Sequence, residues 1–188
     1  MISLDRAFKS IRRKDFLRND DARYADIDAP ILIGYGQTNS QPSTVRQMLE
    51  WLDVQEGQKV LDVGSGSGWT TALLSSMVGP EGYVYAVEIV PELVEFGREN
   101  CRRAGVKNVE FYDARENYGL PKYAPYDRIL VSAAADSLPT ELIDQLVVGG
   151  RAVIPVRNDI LVIDKIHGDE YETVRHSGYI FVPLVGRS

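Results

Sequence analysis

The chain has 188 residues, 44% hydrophobic and 26% charged, proportions of a folded globular domain large enough to bury one core without staples. Its 21 Lys and Arg against 27 Asp and Glu leave a formal net charge of −6. Charges of both signs are spread along the chain, which excludes the concentrated basic footprint of a nucleic-acid-binding surface. The single cysteine, Cys101, excludes a disulfide within the chain and suits a reducing cytoplasm, the expected location. No run has the pattern of a signal peptide or the length of a membrane span, so no membrane partner is expected.

Within Met1–Leu17, Leu4, Ala7, Phe8 and Ile11 recur at helical spacing, which predicts one helix. The basic run Arg12-Arg13-Lys14 is followed by Asp15, Asp20 and Asp21 and reads as a solvated helix face. A polar, acidic loop from Asn19 to Pro30 leads to Ile31 through Gln41, an irregular segment with two glycines and several small polar residues. Pro42 suits the first turn of a helix, and Val45, Met48, Leu49 and Leu52 give that helix its apolar stripe.

From Lys59 onward β and α patterns alternate. Strands are predicted at Lys59–Val63, Tyr83–Glu88, Val109–Tyr112, Tyr126–Ser132 and Arg151–Val156. Helices are predicted after Gly68, from Pro91 to about Ala104 and from Pro139 to Leu146, with a loop from Asn117 to Pro125. Alternation of this kind predicts a doubly wound, mostly parallel α/β sheet with helices on both faces. In the tail, Asp159–His167 and Gly178–Pro183 read as strands without an intervening helix, so an antiparallel edge is expected. The expectation is a Rossmann-like seven-stranded sheet in one domain spanning 1–188. Residues 1–57 form its N-terminal, acceptor-side part and 58–188 its core.

The organising stretch is Lys59-Val60-Leu61-Asp62-Val63-Gly64-Ser65-Gly66-Ser67-Gly68. A β-branched run stops on three glycines and an amphipathic helix follows. Glycine lets backbone approach a ligand closely, and free N–H groups at a helix start receive polar ligand groups. A P-loop is excluded because Gly68 is followed by Trp69-Thr70 rather than Lys-Ser/Thr. The dinucleotide pattern G-x-G-x-x-G fails because Trp69 occupies the third glycine position. S-adenosylmethionine remains. Asp62 precedes the glycines, and Glu88 ends the next strand at the spacing of about 20 residues where a ribose-binding acid belongs. Asp113 ends the third strand, within reach of an adenine amino group. All lie at the C-terminal strand ends where open α/β sheets bind ligands. No metal site is expected, and His167 and His176 read as surface or structural residues.

Several segments resemble one family. Gly34-Tyr35-Gly36-Gln37-Thr38-Asn39-Ser40-Gln41-Pro42 resembles the G-x-G-Q-T-I-S-x-P signature of protein-L-isoaspartate O-methyltransferases. Val60–Gly68 is similar to the family's V-L-D-V-G-S-G-S-G. Ala124–Val131 with Ala133–Ala135 is similar to A-P-Y-D-R-I-x-V-x-A-A-A. Pro139–Pro155 and the ending Phe181-Val182-Pro183-Leu184 match as well.

The resemblance implies the class I S-adenosylmethionine-dependent methyltransferase fold. It also implies methyl transfer to the side-chain carboxylate of isoaspartyl residues in damaged proteins, whose ester then collapses to a succinimide. Carried over by position, Thr38 and Ser40 face the acceptor. Asp62, Gly64, Ser65, Gly66, Gly68, Glu88, Ile89, Asp113 and Ala114 bind the cofactor, with Glu88 on the ribose and Asp113 and Ala114 beside the adenine. Asn39 stands where the signature has isoleucine, and Ser43 and Thr44 stand where relatives tend to carry an aromatic or histidine and an apolar residue. These departures keep open a different carboxylate or small-molecule acceptor; a non-catalytic binding domain is a further alternative. A monomer is expected.

Overall fold

The computed structural model describes residues 3–114 and 118–185; position 117, where the expected loop begins, lies outside them. Helix α1 (Leu4–Ser10) is followed by a short 3-10 turn at Arg13–Phe16. A two-stranded hairpin comes next, β1 (Ile31–Gly34) with β2 (Gln37–Asn39), paired antiparallel. The segment expected to be irregular is therefore ordered: Tyr35 and Gly36 both take positive φ, 57° and 71°, and turn the strand back on itself. Helix α2 (Pro42–Leu52) starts on its proline.

The core sheet has seven strands: β3 (Lys59–Val63), β4 (Tyr83–Glu88), β5 (Val109–Asp113), β6 (Tyr126–Val131), β7 (Leu146–Val156), β8 (Asp159–His167) and β9 (Glu170–Ser177). Their order is β5-β4-β3-β6-β7-β8-β9. The first five run parallel, and β8 and β9 join antiparallel. The order reverses direction at β3, so a crevice opens between the C-terminal ends of β3 and β6.

Alternation along the strands divides the interior. Val60, Val84, Ala86, Phe111, Leu130 and Val153 face a cluster built with α2, α3 (Trp69–Val78) and α4 (Pro91–Arg103). Leu61, Val63, Val87, Ile129, Val131 and Ile154 face the other side, where α5 (Thr140–Asp144) and a layer of tyrosines, including Tyr85, Tyr112, Tyr123 and Tyr126, complete the cover. Tyr85 stacks on Tyr123 at 4.7 Å. Aromatic rings thus do on β4 and β5 what a helix does elsewhere. At the closed end, Lys165 is buried and donates from Nζ to the Ile143 and Leu146 carbonyls, both at 3.0 Å, which caps α5.

The last strand differs from expectation. It is Glu170–Ser177, not Gly178–Pro183. Its residues are polar and mostly exposed, and the ladder to β8 rather than burial makes it a strand. Gly178, at φ 99°, then turns the chain out of the sheet. The segment that follows crosses the strand ends, with the Ala134 N–H bonded to the Val182 carbonyl at 2.8 Å and Leu184 N–H to Ala134 at 2.7 Å. Among the described residues no helix is long and apolar enough to cross a membrane.

Candidate active site

The crevice at the switch point is a cleft walled by the glycine turn, the ends of β4 and β6, the β1–β2 hairpin and the crossing tail. The turn is held from below. Gly64 and Ser65 both donate N–H bonds to the Val87 carbonyl, at 2.9 and 3.1 Å. Its top is tied to Glu88, whose Oε2 accepts from Gly66 N–H at 2.9 Å. The other oxygen, Oε1, accepts from the Ile89 and Val90 N–H groups at 2.8 and 3.1 Å. Glu88 is buried with one edge in the cleft. Four lone-pair positions on a carboxylate leave capacity for a ligand hydroxyl beside these three donors.

Of the residues singled out from the sequence, Thr38, Ser40, Gly64, Ser65, Gly66, Glu88, Ile89 and Ala114 line the cleft together. Asp62, Gly68 and Asp113 do not. Asp113 is exposed at the end of β5, in register with Glu88. Gly68 faces away from the cleft: at φ 83°, a Cβ there would lie 2.8 Å from the Gly97 carbonyl and 3.2 Å from Cys101 Sγ. Its hydrogen atom lets α4 pack against the turn. Gly68→Ala is therefore expected to cost about 2–3 kcal/mol, from backbone strain and overpacking combined. Chemical denaturation checks this, and a loss below about 0.5 kcal/mol, the size of an ordinary surface change, would show that the contact yields.

Asp62 lies wholly buried on the α3 side of the sheet. Its Oδ2 accepts from Thr71 Oγ1 at 2.6 Å and Thr70 Oγ1 at 3.0 Å, while Oδ1 is buried without a partner. Burial pushes its carboxyl up to about 6, with the Thr71 and Thr70 hydroxyls opposing and the Glu88 charge adding to the rise. A folded-state value above the unfolded one favours the folded protein below about pH 4, and that advantage is lost as the pH rises through 6. Relative to Asp62→Asn, the wild type is expected to lose about 2 kcal/mol between pH 4 and pH 7. Paired urea titrations of the two proteins measure the difference, and a pH-independent gap would contradict the assignment. Cys101, buried against the Gly68 carbonyl, has its thiol pushed up to about 12 by burial, then by Asp62, and is no nucleophile.

Cleft residues that sequence reasoning passed over include Asn39, Ser67, Trp69, Tyr118 and Ser132, and the tail from Val182 to Val185. Ser132 stood beside the matched Ala133–Ala135 run, and Phe181–Leu184 was matched as a motif without a role. Arg13 gave no signal at all. Far from being solvated, it is buried behind the hairpin and makes six hydrogen bonds. Five go to the carbonyls of Ala25, Ile27, Ala29, Asn39 and Ser40, and the sixth to Asn39 Oδ1. Burial lowers its guanidinium to about 10, against a raising influence of Asp28, so it remains charged at neutral pH.

The departures from the signature also acquire positions. Ser43 is exposed and its N–H donates to Asp28 Oδ1 at 2.9 Å, so a loop carboxylate caps α2. Thr44 donates to Gln41 Oε1 at 3.2 Å. Both hold the start of α2. Among the described residues no cluster of His, Cys, Asp and Glu is fit to hold a metal ion.

Residues 3–188 match the family model described as protein-L-isoaspartate(D-aspartate) O-methyltransferase. The chain belongs to this family. A protein-L-isoaspartate O-methyltransferase of Methanothrix thermoacetophila is 44% identical over 96% of this chain and 87% of its own length. A solved protein-L-isoaspartate O-methyltransferase superposes with a TM-score of 0.88 at 30% identity; the match covers 98% of this chain and 62% of that longer one. A Plasmodium falciparum structure, described as a family methyltransferase in complex with S-adenosyl-L-homocysteine, superposes with a TM-score of 0.84 at 25% identity. That match covers 97% of this chain and 89% of the other. The protein-L-isoaspartate O-methyltransferase family thus accounts for the sheet and for the hairpin in front of it.

Proposed function

We propose that this protein methylates the free carboxylate of L-isoaspartyl residues in damaged proteins, the α-carboxylate left when the backbone runs through the side-chain carboxyl, with S-adenosylmethionine as donor. The observation that carries the reading is the meeting of the family's acceptor segment, Thr38 on the hairpin and Ser40 just after it, with the glycine turn across one cleft. The cleft also fits the donor. Ser65 Oγ is buried there without a partner, as a site built for a polar ligand leaves it. Gly64 and Gly66 at φ 79° and 49° keep the turn free of side chains. Glu88 presents carboxylate capacity for ribose hydroxyls, Ile89 and Ala114 flank the adenine, and Asp113 stands beside them at the strand end.

S-adenosylmethionine supplies an electrophilic sulfonium methyl group. An α-carboxylate has an ordinary pKa of about 3.3–3.7 and is already ionised at neutral pH, so no general base is required of the protein. The protein's task is alignment: the acceptor oxygen must lie in line with the methyl carbon and sulfur, in a site shielded from water. Thr38 and Ser40 hydroxyls orient the acceptor. Val182 to Val185 close the cleft from the tail side and exclude water. The acceptor side opens into a second groove formed by Ser40, Thr44, Ser132 and Ile180, where a polypeptide flanking the isoaspartate has room.

The domain is taken as a single unit over 1–188, with 1–57 serving the acceptor and 58–188 the donor, acting as a monomer in the cytoplasm. Ser43, exposed and bonded to Asp28 at the start of α2, has structural work outside the cleft, which favours the isoaspartyl acceptor over a different small molecule. Labelled S-adenosylmethionine with an isoaspartyl peptide and its aspartyl counterpart tests the function; equal transfer to both would refute it. Ser40→Ala is expected to lower kcat about tenfold, the worth of one hydrogen bond, with the dissociation constant of S-adenosylhomocysteine little changed. Isothermal calorimetry beside steady-state kinetics separates the two, and a joint loss would assign Ser40 a structural role.

A further inference from the structure

Asn39 sits between the two residues assigned to the acceptor, yet its side chain bonds to other parts of the protein. It is buried. Its Oδ1 accepts from Arg13 Nε at 2.7 Å, and its Nδ2 donates to Ser67 Oγ at 2.9 Å. The orientation of the amide is dictated, because a guanidinium only donates and the carboxamide oxygen must face it. The NH2 group is thereby aimed at the glycine turn. Ser67 is buried there between Gly66, whose N–H is bonded to Glu88, and Gly68. Its carbonyl is held in turn by Asn100 Nδ2 at 2.9 Å. A continuous path therefore runs from β2, which carries Thr38 and leads directly into Ser40, to the carboxylate facing the donor. An isoleucine at position 39, as in the family signature, carries neither bond.

We propose that Asn39 and Ser67 are positioning residues that couple the two halves of the site, so that filling the donor side orders the acceptor strand β2. The inference rests on the donor binding at the glycine turn. Arg13 anchors one end of the relay, and the turn forms the other. Ordering β2 before the acceptor arrives lowers the entropy lost when a flexible isoaspartyl segment docks. It also places Thr38 and Ser40 at the distance that in-line transfer demands, where a misplacement of about 1 Å can cost roughly 100-fold. Other polar groups of the neighbourhood contribute to the cleft wall, but none of the described hydrogen bonds links hairpin and turn side chain to side chain as Asn39 does.

Amide hydrogen exchange over residues 37–40, with and without S-adenosylhomocysteine, tests the relay. In the wild type the ligand is expected to slow exchange there about tenfold or more, the loss of about 1.4 kcal/mol of local opening. Asn39→Leu and Ser67→Ala, which remove the link from either end, are expected to abolish that protection. Their S-adenosylhomocysteine dissociation constants should stay within about threefold while kcat falls about tenfold or more. Asn39→Asp keeps both bonds, because the Ser67 hydroxyl can donate as well as accept, and is expected to retain the protection. Should Asn39→Leu fail to fold, the comparison of Ser67→Ala with wild type decides. Equal protection in wild type and Ser67→Ala overturns the relay, as does a loss of ligand affinity in step with the loss of protection. A wild type that binds no S-adenosylhomocysteine overturns the donor site itself, a separate result.

Discussion

Glu88→Gln is expected to weaken S-adenosylhomocysteine binding by about 10- to 100-fold. In the proposed site the carboxylate of Glu88 is the junction of the donor side: three backbone N–H groups converge on it, one from the glycine turn and two from the chain leaving β4. An amide of the same size has one acceptor oxygen and an NH2 group that must face donors. The turn then loses its tie or the ligand loses its acceptor. Hydrogen bonds to a charged group are worth about 1.5–3 kcal/mol, which converts to the range given. Calorimetric titration measures it. The melting temperature of the unliganded variant, measured alongside, reports any part of the loss due to the turn itself. An unchanged dissociation constant would move the ribose contact away from Glu88.

Arg13→Met is expected to cost about 3–5 kcal/mol of folding stability, the range for breaking a buried charged network. Six acceptors lose their donor at once: the carbonyls of Ala25, Ile27, Ala29, Asn39 and Ser40 and the side chain of Asn39. These acceptors come from an acidic loop and from the hairpin and the residue after it, whose apolar contact is the small cluster of Ala25 with Ile31 and Ile33. One guanidinium gathers them, and Trp69, with Arg13 5.6 Å over its ring, ties the assembly to α3. Arg13→Lys is expected to recover less than half of the loss, because an ammonium has three donors at a point rather than a planar fork. Urea unfolding of the three proteins reads the effect directly. A cost near that of an exposed substitution would mean that water replaces the guanidinium without penalty.

The parallel core was legible because its signals are local. Each strand from Lys59 to Val156 is a β-branched or aromatic run bounded by Gly, Pro or Asp, and each helix carries its own apolar stripe. The donor turn was legible for the same reason, since Asp62 through Gly68 is contiguous. The hairpin was harder, as the nine residues from Ile31 to Asn39, two of them glycine, carry no clear periodicity. β9 was missed because an edge strand is defined by the partner it bonds to: Glu-Tyr-Glu-Thr-Val-Arg-His-Ser, nearly all exposed, has no buried face to announce it. The tail after Gly178 read as a strand because it is rich in apolar residues, yet Ile180 is 92% exposed and Phe181, Val182 and Leu184 are only half-buried, lying across the strand ends rather than in the sheet.

The site shows the same division more sharply. Spacing placed Glu88 and the glycines together, since both follow from where adjacent parallel strands end. Spacing did not separate the glycines that open onto the cleft from Gly68, whose missing Cβ serves helix packing. Nor did it show that Asp62, though next to the turn, faces α3. Each depends on which way a side chain points once neighbouring elements are packed.

What the amino-acid sequence determined by itself is the order of elements, the parallel sheet from β3 to β7, the glycine turn and the family motifs. All are encoded in stretches short enough for propensity and periodicity to act. Only the tertiary structure decided that Arg13 is buried, that Asn39 joins it to Ser67, and that the tail folds over the cleft. Those contacts join residues 26, 28 and about 50 positions apart, and their geometry exists only after the sheet has brought distant backbone together.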